Sequence, residues 1–270
     1  QSTVETITIP VNVETIGDYV FKQCPKLKSI SVNVNNKHFS SDSTGALLNK
    51  NQSILIQYPI GNEAKTYTLP VDVETIKSYA FSSCSSLTTL TLTSVEVIEQ
   101  NAFKSIGITE LTIPQTITSI GASAFASCSK LATLNYPNKQ ITVDKTMLTG
   151  CSAMRTIKIT GAAATVNYET GNQPWNSVIG IITTVEFASS VTRVPNYAFE
   201  GAVKLTTITW EGITSIGNYA FKGCSGIKET FTIPDKITTL GTNSFEGCSR
   251  ITGLTIGKGL TSITNYAFKG

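Results

Sequence analysis

The sequence predicts a repeat solenoid, a right-handed, β-rich stack of about ten coils joined by short turns. The dipeptide Ala-Phe or a close variant recurs along the 270 residues, mostly at intervals of 22 to 24. An aliphatic residue stands five positions before the Phe position, and a short alternating strand begins nine or ten positions after it. One such unit cannot bury its own apolar side chains, whereas stacked units share a continuous core.

The repeated apolar positions define the predicted core. Alternating stretches such as Leu90-Thr-Leu92 and Ile157-Lys-Ile159 turn their aliphatic side chains to one face. We therefore expect two short strands in each unit, joined by a turn that contains Ala-Phe. The aliphatic column before the Phe position is Ile16, Ile76, Ile98, Ile120, Val143, Val194, Ile216, Leu240 and Ile263.

Two long gaps between Ala-Phe pairs predict irregular units, at about residues 33–66 and 160–187. In the first, two apolar runs flank Asn49–Gln52, which predicts a hairpin. In the second, Trp175 falls near the Phe position and Val178 lies three residues later. We expect residues 1–270 to form a single solenoid domain that is a fragment of a longer chain.

The cysteines occupy one repeated position, three residues after the Phe position. Ile106 and Ala202 replace Cys in two units, so the position is predicted to be small, apolar and buried. Neighbouring thiols would lie about one strand spacing apart, whereas a disulfide needs Cβ atoms about 3.8 Å apart. We therefore expect free thiols at Cys24, Cys84, Cys128, Cys151, Cys224 and Cys248.

Composition and motifs argue against several function classes. The net charge is only +3, and the sequence has no basic stripe of the kind that binds nucleic acid. It also lacks a run of 18 apolar residues, which a membrane-spanning helix would need. The one histidine, His38, lies in a polar loop, and the acidic residues are scattered. Neither a nucleophilic triad nor paired carboxylates nor a zinc site is indicated. We expect a protein that is not an enzyme and needs no cofactor.

The repeats resemble the BspA-like leucine-rich-repeat surface-antigen family. Residues 117–131, ITSIGASAFASCSKL, carry the pattern, and residues 45–61 look like a variant unit of that family. The resemblance covers nearly the whole chain. It implies an extracellular or cell-surface protein that adheres to host cells or to matrix proteins such as fibronectin and fibrinogen. The alternative is a structural spacer or self-association scaffold, with recognition carried by other domains.

Two columns of residues are candidate binding surfaces. The first is a Thr face on the strands, comprising Thr89, Thr91, Thr112, Thr133, Thr207, Thr209, Thr230 and Thr232. The second lies two residues before the Phe position and includes Tyr79, Tyr197, Tyr219 and Tyr266. Thr also suits any exposed strand, and Tyr can simply cover the Phe turn, so a structural interpretation stands beside the binding one.

Two further features concern loops. Residues 167–177 contain Tyr168 and Trp175, and loops inserted in a solenoid often carry function. The triplet Asn51-Gln-Ser53 is an N-glycosylation sequon at the predicted hairpin turn. Asn51 is therefore a candidate glycosylation site if the source organism glycosylates its proteins.

Overall fold

The computed structural model describes residues 2–161 and 166–270. These residues form a β-solenoid of about 11 turns with almost no helix, which confirms the predicted fold class. Contacts divide the chain into two compact units, Gln1–Leu131 with Ile141–Ala153 and Ala132–Gln140 with Met154–Gly270. In the part of the chain that the structure describes, no helix has the length and apolar character of a membrane crossing.

Short strands supply nearly all the regular structure. In the first half of the chain they are β1 (Thr6–Ile9), β2 (Ser29–Val32), β3 (Phe39–Ser41), β4 (Leu47–Asn49), β5 (Ile54–Gln57), β6 (Thr66–Thr68), β7 (Thr75–Ile76), β8 (Thr89–Thr91), β9 (Val97–Ile98), β10 (Glu110–Thr112) and β11 (Ser119–Ile120). In the second half they are β12 (Thr133–Pro137), β13 (Thr142–Val143), β14 (Thr156–Thr160), β15 (Thr184–Phe187), β16 (Arg193–Val194), β17 (Thr207–Ile208), β18 (Ser215–Ile216), β19 (Glu229–Ile233), β20 (Thr239–Leu240) and β21 (Ile251–Ile256), with a 3-10 helix at Asn176–Ile181 before β15.

Each regular coil contains two short strands, which belong to different sheets. In the first compact unit the strands just before the Ala-Phe turn, β7, β9, β11 and β13, pair side by side. In the second compact unit the strands that follow the Phe position, β12, β14, β15 and β17, pair in the same way. The latter register aligns Leu134, Ile157, Val185 and Ile208. The first three of these side chains are fully buried. The parallel register therefore stacks the same repeat position from coil to coil, as the periodicity predicts.

The Phe position forms a stack of rings in the core of each unit. Neighbouring rings lie 5.0 to 5.7 Å apart and within 21° of parallel. Backbone bonds support the stack, since the Phe81 N–H donates to the Ala102 carbonyl at 2.7 Å. The rings are Tyr58, Phe81, Phe103 and Phe125 in the first unit, and Trp175, Phe199, Phe221, Phe245 and Phe268 in the second.

The first irregular repeat, predicted at about residues 33–66, is an antiparallel meander of β3, β4 and β5. The pairing of β4 with β5 confirms the hairpin predicted at Asn49–Gln52. Buried Asn36 anchors its entry, because its amide donates to the Pro10 and Val13 carbonyls at 2.8 and 2.9 Å. Strand β5 then pairs in parallel with β7 and rejoins the solenoid. Tyr58, immediately after β5, takes the Phe position, a role that the sequence did not reveal.

In the second irregular repeat, predicted at about residues 160–187, Trp175 takes the place of Phe in the ring stack of the second compact unit. Trp175 is fully buried and stacks on Phe199 at 5.3 Å. Its indole N–H donates to the Ala198 carbonyl at 2.7 Å, so its one polar atom is satisfied. Val178 is buried in the 3-10 helix that follows. Both residues occupy the positions that the sequence predicted.

Candidate binding surfaces

The Thr face consists of the outward residues of the longer strands. Thr89 and Thr91 are exposed on either side of buried Leu90, and the register places Thr66 and Thr68 beside them. The other candidate residues on this face are also exposed except for Thr133, which is half-buried; they are Thr112, Thr207, Thr209, Thr230 and Thr232. Within the second unit Thr133, Thr156, Thr184 and Thr207 are aligned in register.

Many threonine hydroxyls bond to the backbone of a neighbouring coil. The Phe187 N–H donates to Thr209 Oγ1 at 3.0 Å, which engages one candidate residue internally. A second Thr column lies just before the strands and was not singled out from the sequence; there Thr88 and Thr206 donate to carbonyls of the preceding coil at 3.2 Å. Part of the Thr content therefore stabilises the stack.

A groove of about 470 Å³ interrupts the Thr face of the first unit. It lies between β8 and β10, which do not share a hydrogen-bonded sheet. The coil of β8 is one residue shorter than its neighbour after the strand, and the coil of β10 is one residue shorter before it. Both shortenings fall in the segment that connects β8 and β10, where the two strands belong to different sheets. The groove is lined by Thr88, Thr89, Leu90, Thr91, Leu92, Thr109, Glu110 and Thr112.

The Tyr column sits on a backbone corner in the left-handed region. Tyr79 has φ 62° and Tyr19 has φ 65°, a conformation that costs a bulky residue on the order of 1–3 kcal/mol. The same corner is occupied by Asn101 at φ 55° and Ser123 at φ 55° in other coils. The other tyrosines with this geometry are Tyr197, Tyr219 and Tyr266, with φ of 56° to 59°.

Tyrosines in successive positions of this column form pairs. The Tyr19 and Tyr79 rings meet edge-on with centroids 4.8 Å apart, and the Tyr197 and Tyr219 rings stack at 4.8 Å. Tyr19 and Tyr266, in the first and last coils of the sequence, are 43% and 61% exposed, whereas Tyr79, Tyr197 and Tyr219 are half-buried. The column thus places partly exposed aromatic rings at the surface, while the neighbouring Phe rings of the stack lie in the core.

Lysines one residue after the Phe position lie over these tyrosine rings. Lys22 Nζ is 3.9 Å from the Tyr79 centroid, and Lys222 Nζ is 5.3 Å from the Tyr219 centroid. Such contacts contribute about 0.5–1 kcal/mol at exposed sites and hold the ammonium in place. The surface of the Tyr column is therefore aromatic and cationic at these positions. The prediction made from the sequence included the tyrosines but not the lysines.

Chemically reactive groups do not converge on any of these surfaces. Cys84, Cys128, Cys151, Cys224 and Cys248 are buried, as predicted for their position, and Cys24 is half-buried. Burial raises the pKa of the Cys84 and Cys224 thiols, which disfavours the reactive thiolate. His38 is exposed. Among the described residues, no group of three His, Cys, Asp or Glu side chains is placed to hold a metal ion.

The two loop candidates differ in exposure. Trp175 and Tyr168 pack edge-to-face at 5.6 Å, and Trp175 belongs to the core stack. Asn51 is exposed at the hairpin turn, and the Ser53 hydroxyl donates to its side-chain oxygen at 3.1 Å. The sequon is therefore open to solvent, whereas of the two rings in residues 167–177 Trp175 is fully buried and Tyr168 is half-buried.

Comparison with protein-family models finds a match along most of the chain. The model described as "BspA type Leucine rich repeat region" matches residues 1–51, 61–170 and 178–270, with six copies. No curated protein matches the chain in a sequence search. The matched ranges contain the residues of the Thr face and of the Tyr column.

Solved structures similar to this one include a leucine-rich repeat protein and a vaccine antigen. A leucine-rich repeat protein from Eubacterium ventriosum ATCC 27560 has 29% identity and a TM-score of 0.55, and the match covers 91% of this chain and 59% of that one. The pneumococcal vaccine antigen PcpA has 20% identity and a TM-score of 0.56, with 96% and 56% covered. The second likeness concerns the fold alone. This chain spans less than two thirds of the length of either protein.

Proposed function

Because this chain belongs to the BspA-type leucine-rich repeat family, we propose that it is a cell-surface or extracellular binding module that adheres to host-cell or matrix proteins. Leucine-rich repeat domains generally mediate protein–protein interaction. In this proposal the Tyr column supplies the anchoring contacts, and the Thr face supplies a polar surface beside them. The proposed role is binding and not catalysis.

The conformation of the Tyr column carries the proposal. Asn101 and Ser123 close the same left-handed corner, so the turn itself does not require Tyr. Tyr is the costlier choice, because a bulky side chain is strained at positive φ. Strain of this kind clusters at binding sites, and Tyr is enriched among the residues that dominate protein interfaces. The partly exposed rings are therefore better explained by contact with a partner than by the needs of the turn.

Substitution of Tyr by Asn tests this proposal without disturbing the turn. Binding of the purified chain to immobilised fibronectin, fibrinogen and epithelial cells should be saturable. The double variant Tyr197→Asn/Tyr219→Asn should bind at least about 10-fold more weakly, since it removes two aromatic anchors of about 1–2 kcal/mol each. The control Asn101→Ser changes the same corner to a residue found in another coil and should bind like the native chain.

Two outcomes would contradict the proposal. One is the absence of saturable binding to every host ligand tested. The other is equal binding by the native chain and the double Tyr variant. Light scattering on the same samples separates the alternative role, because a self-association scaffold would form larger species as concentration rises, and the Tyr variants would reveal whether these rings form the contact.

A further inference from the structure

Among the described residues, Lys22 and Lys104 are the two lysines one residue after the Phe position that have no acidic partner, whereas Lys222 and Lys269 each have one. Lys22 differs from Lys104 because it lies over tyrosine rings, while Asn101 occupies the column position in the coil of Lys104. Lys222 lies 3.3 Å from Glu246, and Lys269 lies 4.0 Å from the same carboxylate. No ion pair or hydrogen bond of the Lys22 ammonium is found among the described residues; its contacts are with the Tyr79 ring at 3.9 Å and the Tyr19 ring at 5.7 Å. The N–H donors of the ammonium that do not face the rings are thus available at this corner.

A depression of about 380 Å³ adjoins this ammonium, large enough to receive side chains of another protein. Pro25 and Ile60 give it apolar surface, and Gln23 and Ser83 add an amide and a hydroxyl. Its walls therefore offer one positive charge, neutral hydrogen-bonding groups and apolar contact. The lining contains no acidic side chain.

The acidic residue nearest in sequence, Asp18, lines a different and smaller cleft. That cleft has a volume of about 90 Å³ and also contains Lys77. The Lys77 ammonium bonds the Glu99 carboxylate at 2.9 Å. The positive charge of Lys77 is therefore balanced within the protein, whereas the Lys22 charge beside the larger depression has no acidic partner among the described residues.

We propose that the Lys22 corner receives an acidic side chain, Asp or Glu, of the partner protein, with the carboxylate on the ammonium and its flanking residues against Tyr19 and Tyr79. This inference rests on the proposed function and adds the chemistry of the partner. Contact with the rings restricts the position of the ammonium, which lowers the conformational entropy that the lysine loses when a ligand binds. Both tyrosines are strained, at φ 65° and 62°, so two consecutive ring-bearing corners are maintained around this lysine.

A labelled oligoglutamate peptide and its oligoglutamine counterpart test this chemistry by fluorescence anisotropy on the whole chain. The native chain should bind oligoglutamate and not oligoglutamine, and added salt should weaken the binding. Lys22→Gln should reduce the affinity at least about 10-fold. Lys222→Gln, which changes a lysine already paired with Glu246, should leave it within about twofold, and Lys22→Arg should retain binding because the charge is kept.

Equal losses in Lys22→Gln and Lys222→Gln would overturn the inference, as would equal binding of the two peptides. The same variants measured against fibronectin and fibrinogen separate this inference from the proposed function. Native binding that Lys22→Gln leaves unchanged would remove the role of Lys22 and keep the adhesion proposal. Peptide binding that depends on Lys22, with no binding to either host protein, would remove those partners and keep the acidic-side-chain site.

Discussion

The Cys151 thiol donates a hydrogen bond to the Phe125 carbonyl oxygen of the preceding coil at 3.1 Å. The relationship repeats: Cys128 bonds the Phe103 carbonyl at 3.2 Å. A carbonyl has two lone pairs, and the Phe125 carbonyl also accepts from the Cys128 N–H at 3.4 Å. The Cys column therefore links coils through sulfur as well as filling a small apolar position. The second unit shows the same contact at Cys224 and Cys248.

We predict that five of the six thiols resist modification in the native protein. Burial raises the pKa of Cys248 to about 12, far from the range in which a thiolate forms at neutral pH. A thiol reagent should label Cys24 rapidly and label all six thiols after denaturation. Mass spectrometry of the labelled peptides identifies the sites. Recovery of fewer than six thiols from the denatured, unreduced chain would contradict the free-thiol assignment.

The Phe stack predicts different costs for two substitutions of one residue. Phe103 is fully buried between Phe81 at 5.0 Å and Phe125 at 5.1 Å. Phe103→Ala should lower the free energy of unfolding by about 3–5 kcal/mol, because it leaves a cavity. Phe103→Leu should cost less than about 2 kcal/mol, since Leu148 fills this position in another coil. Urea unfolding measures both, and equal losses would argue against a tightly packed stack.

The residues that repeat were predictable, and those set by contacts between coils were not. The Phe and aliphatic positions recur, so their burial follows from periodicity alone. Tyr58 lies 23 residues before Phe81, one repeat length, but no Ala-Phe pair marks it. The distinction between Lys22 and Lys222 depends on a carboxylate from the next coil, Glu246. Such a contact is fixed by side-chain packing between repeats, which no single repeat encodes.

The Glu99 carboxylate should make stability depend on pH. Partial burial opposes its ionisation, but hydrogen bonds from Lys77 and from the Ser78 hydroxyl and N–H, each at 2.9 Å, hold its pKa below the usual value. A carboxyl with a lowered pKa stabilises the fold above its ordinary pKa, and this contribution is lost as pH falls through the folded value. Glu99→Gln should cost about 1 kcal/mol at pH 7 and less near pH 3, because protonation of the native carboxyl removes its contribution.

Urea midpoints of the native chain and Glu99→Gln at the two pH values measure this difference. Glu96→Gln is the matched control, because Glu96 is an exposed carboxylate three residues away on the same coil. It should leave the midpoint unchanged at both pH values. A Glu99→Gln cost that persists at pH 3 would show that the side chain stabilises the coil through packing and not through its charge.

Gly107, two residues before the groove-lining Thr109, should not tolerate a larger residue. A Cβ added there would lie 2.2 Å from the Ser85 carbonyl oxygen and 2.7 Å from that of Leu87, and backbone oxygens cannot move without shifting the coil. Gly107→Ala should therefore cost about 1–3 kcal/mol or more. Gly180, which has no atom within 4 Å of an added Cβ, provides the control, and Gly180→Ala should be neutral or slightly stabilising. Thermal unfolding compares both variants, and a neutral Gly107→Ala would mean that the shortened coil before β10 can relax to accommodate the added methyl group.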